Sequence, residues 1–155
     1  MIAMRLPFAL LLGLLLLVAA GADVRARIIP NSLNAAIAVL AVGWWIAWGL
    51  STQDILIQIG LAFAALTIFG GLFALGLMGG GDVKLITALA LWLPAGQLLQ
   101  MLFWMALAGG LLTLAMLAIH AMRRSGERLE VPYGVAIAGA TLLVLANDIL
   151  TSRAA

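Results

Sequence analysis

Long apolar stretches separated by short polar segments occur along the whole chain. They predict six helical spans, at residues 6–22, 33–50, 55–77, 83–95, 97–120 and 132–150. A stretch of about 17 residues, at about 1.5 Å per residue, crosses most of a hydrocarbon core about 30 Å thick. The fourth stretch is shorter, and Pro94-Ala95-Gly96 is either a tight external turn or a kink within a longer helix. The pattern predicts an all-α, polytopic membrane helix bundle with about six transmembrane helices.

Two polar segments carry signals for the start of a helix. Ser51 and Asp54 have the spacing of a capping box that opens the third span. Before the second span, Pro30 supplies a stop and Asn31-Ser32 supplies an N-cap. We interpret both signals as structural in the first place.

The composition agrees with a membrane protein. The 155 residues are 66% hydrophobic and 9% charged, with a mean hydropathy of +1.23, whereas a soluble domain is about 25% charged. The apolar stretches leave no room for a separate soluble domain, so we expect one membrane-embedded domain over residues 1–155, with the lipid bilayer as a partner. Eight Lys and Arg against six Asp and Glu is a small excess, which topology explains without a nucleic-acid partner.

The sequence contains no cysteine and a single histidine, His120. Disulfides, thiolate zinc sites and a cysteine nucleophile are therefore excluded. We expect no metal site, since His120 has no second imidazole or thiolate to join it. An interfacial position near Arg123 and Arg124 explains this histidine better.

The basic residues define an orientation in the membrane. If the first span runs from outside to inside, six of them lie in cytoplasmic segments: Arg25, Arg27, Lys84, Arg123, Arg124 and Arg128. Only Arg5 and Arg153 are then external, which satisfies the positive-inside rule. Both termini are external in this orientation, and four tryptophans lie toward the outer face: Trp44, Trp45, Trp48 and Trp92.

The same orientation places two acids at one face. Asp23 follows the first span and Asp82 precedes the fourth, so both lie on the cytoplasmic side at similar depth. The two carboxylates can therefore meet. The other two aspartates, Asp54 and Asp148, lie toward the outer face, where capping and helix-end roles account for them.

The first span also has features of a secretory signal peptide. Arg5, a Leu-rich core and the small residues 19–22 match that pattern. Cleavage there would make Asp23 the first residue and remove its helix, and it would conflict with retention of Arg25 and Arg27 inside. We therefore favour a retained membrane anchor.

Three segments resemble the type IV prepilin peptidases, which are membrane aspartic proteases with a GxGD motif. In chain order they are Asp23-Val-Arg-Ala-Arg-Ile-Ile-Pro30-Asn31, Gly79-Gly80-Gly81-Asp82-Val83-Lys84-Leu85 and Val131-Pro132-Tyr133-Gly134. A GxGD sequence alone carries little weight in a chain with 17 glycines, but the order and topology of all three segments agree with the family. Because there is no cysteine and no long insert, the chain resembles the short, peptidase-only forms of Flp/Tad pili rather than those with a zinc region and methyltransferase activity.

The resemblance implies that Asp23 and Asp82 are a catalytic pair. It also implies a prepilin substrate that is cut after a glycine at the cytoplasmic edge of its apolar segment. One ionised carboxylate would take a proton from water while one protonated carboxyl hydrogen-bonds the carbonyl, so we expect the pair to share a proton. No cofactor is implied, pilus assembly machinery is a further expected partner, and the location is the bacterial inner membrane with the active site facing the cytoplasm.

Residues beside the aspartates are expected to shape this site. Residues 79–81 lack Cβ atoms, which permits positive φ and a close approach of the substrate backbone to Asp82. Pro30 cannot continue a helix, so the chain turns there and holds Asp23 close to Asn31 and the second span. For Lys84 we keep three roles open: it lowers the pKa of Asp82, it orients a substrate carboxylate, or it anchors the helix by snorkelling.

Structural and non-enzymatic interpretations also stand. Asp82 is also interpretable as the N-cap of the fourth helix, and Asp23 as a solvated acid loosely paired with Arg25 or Arg27. For the whole protein, the alternative is a non-enzymatic component in which the acids line a proton or cation pathway. Their confinement to one interface favours proteolysis, and cleavage inside the bilayer, as by presenilin-like proteases, would need Asp23 at greater depth.

Overall fold

The computed structural model describes residues 2–123 and 131–154, and the secondary structure of these residues is entirely helical. In chain order the helices are α1 (Ile2–Ala26), α2 (Asn31–Trp48), α3 (Thr52–Ala74), α4 (Gly80–Ala90), α5 (Ala95–Arg123) and α6 (Tyr133–Ala154). All except α4 are long and apolar enough to cross a membrane. The prediction of an all-α, polytopic membrane helix bundle is confirmed. The predicted loop residues Arg124 and Arg128 lie outside the described residues.

Four helices form the centre of the bundle. Helix α1 packs on α2 and α6, and α4 packs on the same two helices, so the four close into a ring. Helix α3 packs on α4 and helix α5 packs on α6 from outside this ring. Most large, fully buried side chains belong to the ring or to the turn after α4: Leu12, Leu16, Ile37, Leu85, Ile86, Leu89, Trp92, Leu93, Ile137 and Thr141. Helix α1 therefore contributes to the core of the bundle.

The two ends of the bundle differ in which helix termini they contain. Helix α1 ends where α2, α4 and α6 begin, as the contact between Asp23 and Gly134 and that between Asn34 and Gly81 show. We call this the Asp23 end. Helix α1 begins and α6 ends at the opposite end, which we call the Trp45 end.

Helix α4 is shorter than the predicted fourth span. Its 11 residues extend about 16 Å, which is less than a full crossing of the hydrocarbon core. Because α5 begins as a separate helix at Ala95, Pro94 lies in a tight turn and not in a kink. Irregular backbone at membrane depth is tolerated where protein surrounds it, and α4 lies between α2, α3 and α6.

Indole groups satisfy the backbone at the end of α4. Trp45 Nε1 donates to the Leu91 carbonyl oxygen at 2.8 Å, and Trp44 Nε1 donates to the Trp92 carbonyl oxygen at 3.2 Å. In return, Trp92 Nε1 donates to the carbonyl oxygen of Ile37 on α2 at 2.8 Å. Trp44 and Trp92 are buried, so these two rings contact protein.

One of the two predicted helix starts is confirmed. Ser51 and Asp54 form the capping box of α3, with Ser51 Oγ accepting from the Asp54 backbone N–H at 3.2 Å. The predicted cap of α2 is wrong: Pro30 occupies the N-cap position without a side-chain hydrogen bond, and Asn31 is the first helical residue. The Asn31 side chain is therefore available for a contact with another helix.

Two glycines allow close contact between helices. A Cβ at Gly43 would lie 2.5 Å from Phe8 Cε1, and a Cβ at Gly109 would lie 2.7 Å from Tyr133 Cε1. Other glycines make no such contact, and a Cβ would meet nothing within 4 Å at Gly70, Gly71, Gly76, Gly110 and Gly139.

The Trp45 indole should contribute measurably to stability. Trp45→Phe keeps an aromatic ring but leaves the Leu91 carbonyl without its donor, which costs about 1–3 kcal/mol when the carbonyl is buried. We expect a lower melting temperature in detergent, measured by size-exclusion chromatography after heating. Trp104→Phe is the matched control, because Trp104 is 42% exposed and packs edge-on against Phe103. Equal melting temperatures for both variants would show that the hydrogen bond from Trp45 to the Leu91 carbonyl does not contribute to stability.

Candidate active site

Asp23 lies in the last turn of α1. The sequence predicted a position after the first span, but α1 continues to Ala26. Only 6% of Asp23 is exposed, and its Oδ2 accepts a hydrogen bond from the Gly134 backbone N–H at 2.8 Å. The residue after the end of α1, Arg27, has a φ of 55°, and its N–H donates to the Asp23 carbonyl oxygen at 2.9 Å. The interpretation of Asp23 as a solvated acid is therefore wrong.

Asp82 lies in the first turn of α4. Gly79 is the N-cap, with φ −73° and ψ 139°, so Asp82 is the third helical residue and not the cap. Its half-buried carboxyl receives a backbone hydrogen bond from Gly79. An acid at this position satisfies one of the N–H groups that the start of a helix leaves without a partner.

The glycines before Asp82 provide space, and the prediction of positive φ there is wrong. Among residues 2–123 and 131–154, positive φ occurs only at Arg27, Gly49 and Gly76. A Cβ at Gly79 would lie 2.9 Å from Asp82 Oδ2. At Gly80 it would lie 3.2 Å from the Phe73 ring, and at Gly81 it would lie 3.2 Å from Ile29 Cβ. These glycines therefore permit a close approach of the protein's own side chains.

Ile29 lies between the two acidic segments. It is 4% exposed; its Cβ faces Gly81, next to Asp82, and its Cδ1 faces Gly134, the partner of Asp23. A Cβ at Gly134 would come within 2.9 Å of both Ile29 Cδ1 and Asp23 Oδ2. The segment between α1 and α2 thus holds the starts of α4 and α6 in place at the Asp23 end.

The two carboxyls interact electrostatically. Desolvation by burial, followed by the negative charge of Asp23, raises the pKa of Asp82 to about 6, and the hydrogen bond from Gly79 opposes this shift. Three helices, α2, α4 and α6, begin at this end, and helix N-termini carry partial positive charge that favours carboxylates. The structure therefore places Asp23 and Asp82 close enough for the protonation of one to affect the other.

Polar contacts join α2 to α4 beside the acids. Lys84 Nζ donates to Asn31 Oδ1 at 2.8 Å, and Asn34 Nδ2 donates to the Gly81 carbonyl oxygen at 3.3 Å. Of the residues predicted for the site, Lys84 and Asn31 therefore contact each other, and Pro30 supplies the turn before them. Asn34 was not among the predicted site residues, although an asparagine one turn after Asn31 in an apolar helix was an available signal.

The start of α6 is anchored to α5. The Tyr133 ring packs against Gly109, and its hydroxyl lies 3.4 Å from Thr113 Oγ1. This contact orients the backbone that carries Gly134. The sequence analysis identified the Pro132-Tyr133-Gly134 element but did not predict that its backbone N–H binds Asp23.

The remaining described aspartates serve the Trp45 end. Asp54 belongs to the capping box of α3, and Asp148 Oδ1 accepts a hydrogen bond from Gln97 Nε2 at 2.8 Å. Neither joins the Asp23 end. Two interacting carboxyls remain, and such a pair can hold one proton, activate water and donate to a carbonyl oxygen.

Comparison with known proteins identifies one family. The sequence model of the type IV leader peptidase family matches residues 10–114, a range that contains Asp23, Asp82 and the glycines before Asp82. The start of α6, including Gly134, lies beyond the match. No curated protein and no solved structure matches the chain.

Asp23→Asn should lower the pKa of Asp82. The charge of Asp23 raises this pKa, while an asparagine oxygen can still accept from Gly134, so the substitution removes the charge and keeps the contact. Infrared spectra of the purified protein, titrated with pH, report protonation of the carboxyl. Asp82→Asn identifies its band. An unchanged midpoint in the Asp23→Asn protein would show that the two carboxyls do not interact.

Proposed function

Because the chain belongs to the type IV leader peptidase family, we propose that it is a membrane aspartic endopeptidase that removes the leader peptides of Flp-like prepilins. The family implies a protease that acts on prepilins. The finer proposal rests on one observation, the convergence of Asp23 and Asp82 at one end of the bundle with interacting charges. We further propose a single membrane-embedded domain without methyltransferase activity, because the sequence contains no cysteine for a zinc region.

The geometry supports a division of labour between the two acids. Asp82, with its raised pKa, holds the shared proton and donates it to the oxygen of the scissile carbonyl. Asp23 is oriented through Oδ2 by Gly134, which leaves Oδ1 to take a proton from the attacking water. The water oxygen bonds to the carbonyl carbon, which gives a tetrahedral intermediate with two hydroxyls. As the C–N bond breaks, Asp23 passes its proton to the leaving nitrogen and one hydroxyl of the intermediate returns a proton to Asp82, so the pair again shares one proton.

Charge distribution supports a cytoplasmic site. Arg25 and Arg27 lie on either side of the last residue of α1, and Lys84 lies in the first turns of α4. These three basic residues therefore all lie at the Asp23 end. Under the positive-inside rule this end faces the cytoplasm. We therefore propose a bacterial inner-membrane location, with the cut after a glycine at the cytoplasmic face and with pilus assembly machinery as a further partner.

A proton or cation pathway is less well supported. A pathway needs polar groups through the thickness of the membrane, whereas the ring between the two ends is filled by Leu12, Leu16, Ile86 and Leu89, all fully buried. The described acids lie at the two ends, and those at the Trp45 end already have structural partners. This packing favours hydrolysis at the Asp23 end.

The first test of the proposal is processing by aspartate variants. We expect Asp23→Asn and Asp82→Asn each to slow leader removal by about 10²–10⁴-fold, because each removes an acid-base group. Coexpression with Flp-like prepilins, followed by electrophoresis, measures processing. Asp54→Asn is the control at the Trp45 end and should process normally. Normal processing by either variant of the pair, at equal membrane accumulation, would remove that residue from the mechanism.

A second test concerns the partner of Asp23. Gly134→Ala places a Cβ about 3 Å from the Asp23 side chain and should displace the carboxylate, and a displacement of about 1 Å can cost about 100-fold in rate. Gly139→Ala is the matched control on the same helix, where a Cβ meets nothing within 4 Å. Initial rates of leader removal compare the two variants. Equal rates would show that contact with Gly134 does not position Asp23 for catalysis.

A further inference from the structure

A groove of about 330 Å³ runs along α2 and α4, with α3 at its side. Its Asp23 end is polar and is lined by Asn31, Asn34 and Lys84. Farther along, small side chains line it, including Ala35, Ala38 and Ala88. Because Asn34 also binds the Gly81 carbonyl oxygen, the polar end is continuous with the turn that carries Asp82.

Asn34 is incompletely hydrogen-bonded. Its side chain is 4% exposed, and its Nδ2 has a partner, but its Oδ1 accepts no hydrogen bond. A buried acceptor without a donor is unfavourable. Nearby, the exposed Lys84 ammonium can also donate beyond its bond to Asn31. Because Asn34 Oδ1 is enclosed by protein, the polar group that the groove offers beside the candidate active site is the Lys84 ammonium.

We propose that this groove binds the first two turns of the substrate's apolar helix, an inference that rests on the proposed function. The groove begins at the turn that carries Asp82, so the apolar segment that follows the cut can enter it directly. Lys84 is placed to bind a carbonyl oxygen of the unwound residues at the cut. The alanines allow the close helix packing that small residues permit in membranes.

The groove also determines the direction of the bound helix. The leader precedes the apolar segment of the substrate, so that segment begins at the Asp23 end and runs parallel to α2 and α4. From Lys84 on α4 to its C-cap, Leu91, the lining advances by seven residue steps, about 10 Å or two turns. The substrate residue about seven positions after the cut should therefore lie near Ala38 and Leu91.

A second groove, between α5 and α6, is the competing site. It has a volume of about 280 Å³ and starts at Val135, next to Gly134. Apart from the Trp104 indole, its lining residues have only apolar side chains, so it has no charged group that would bind the residues at the cut. It suits a lipid chain better than the cleaved end of a peptide.

Disulfide crosslinking tests the choice between the grooves, because the chain has no cysteine of its own. Ala35→Cys probes the proposed groove and Gly139→Cys probes the competing one. Ala64→Cys, on an exposed face of α3, is the control. Each is combined with Asp82→Asn, which leaves the substrate uncut, and with a Flp-like prepilin that carries one cysteine in the first turn after the cut.

We expect an oxidised crosslink from position 35 and none from positions 139 or 64. A crosslink from position 139 alone, or none from position 35 while the wild-type protein cleaves the same prepilin, would overturn the proposed groove and leave the proposed function intact. If the wild-type protein cleaves no prepilin and no position crosslinks, the proposed function fails and this inference fails with it.

A kinetic test uses Ala35→Leu, which fills the groove from an exposed position. We expect KM for the prepilin to rise roughly tenfold with little change in kcat, because overfilling a packed contact weakens binding without touching the acids. Ala64→Leu makes the same substitution outside the groove and should leave both constants unchanged. An unchanged KM in Ala35→Leu would overturn the inference.

Discussion

The hydrogen bond from the Gly134 backbone N–H to Asp23 joins the last helix to the first across 111 residues of sequence, and the candidate site depends on it. A carboxylate buried in a membrane helix needs a partner, and the start of a helix has N–H groups that need acceptors. One contact satisfies both requirements. It also excludes a side chain at position 134, because a Cβ there would contact Asp23 Oδ2. The contact lies where α6 packs on α1, one of the four helix pairs that close the ring.

The same end of the bundle balances opposing electrostatic effects. Desolvation and the charge of Asp23 raise the pKa of Asp82 to about 6, whereas the N-termini of three helices favour negative charge. Because the pKa of Asp82 in the folded protein is above its ordinary value, its contribution to stability is fully present at low pH. That contribution is lost as the pH rises through the interval up to about 6. The raised pKa of Asp82 therefore makes the protein less stable near neutral pH than at low pH.

Local sequence signals predicted the parts of the fold that local interactions determine. The apolar stretches predicted six helices, and the spacing of Ser51 and Asp54 predicted the capping box of α3. The positions of Asp23 and Asp82 predicted two acids at one end of the bundle. The partner of Asp23 could not be predicted, because the sequence does not indicate which backbone N–H binds a carboxylate, and Gly134 is far along the chain. Positive φ was expected at residues 79–81 because glycine permits it, but packing against Phe73, Ile29 and the Asp82 side chain decides that conformation.

The short helix α4 can hold Asp82 in place because α2 fixes both of its ends. At the Asp23 end Asn34 binds the Gly81 carbonyl, and at the Trp45 end Trp45 binds the Leu91 carbonyl. Along α2 the two contacts are 11 residues apart, from Asn34 to Trp45, and along α4 and its C-cap they are 10 residues apart, from Gly81 to Leu91. The two helices are therefore parallel and cover nearly the same distance between the contacts. Since both ends are tied to one helix, the irregular turn at Pro94 does not loosen the start of α4. The tryptophans at the far end of the bundle thus help to fix the position of a carboxyl at the other end.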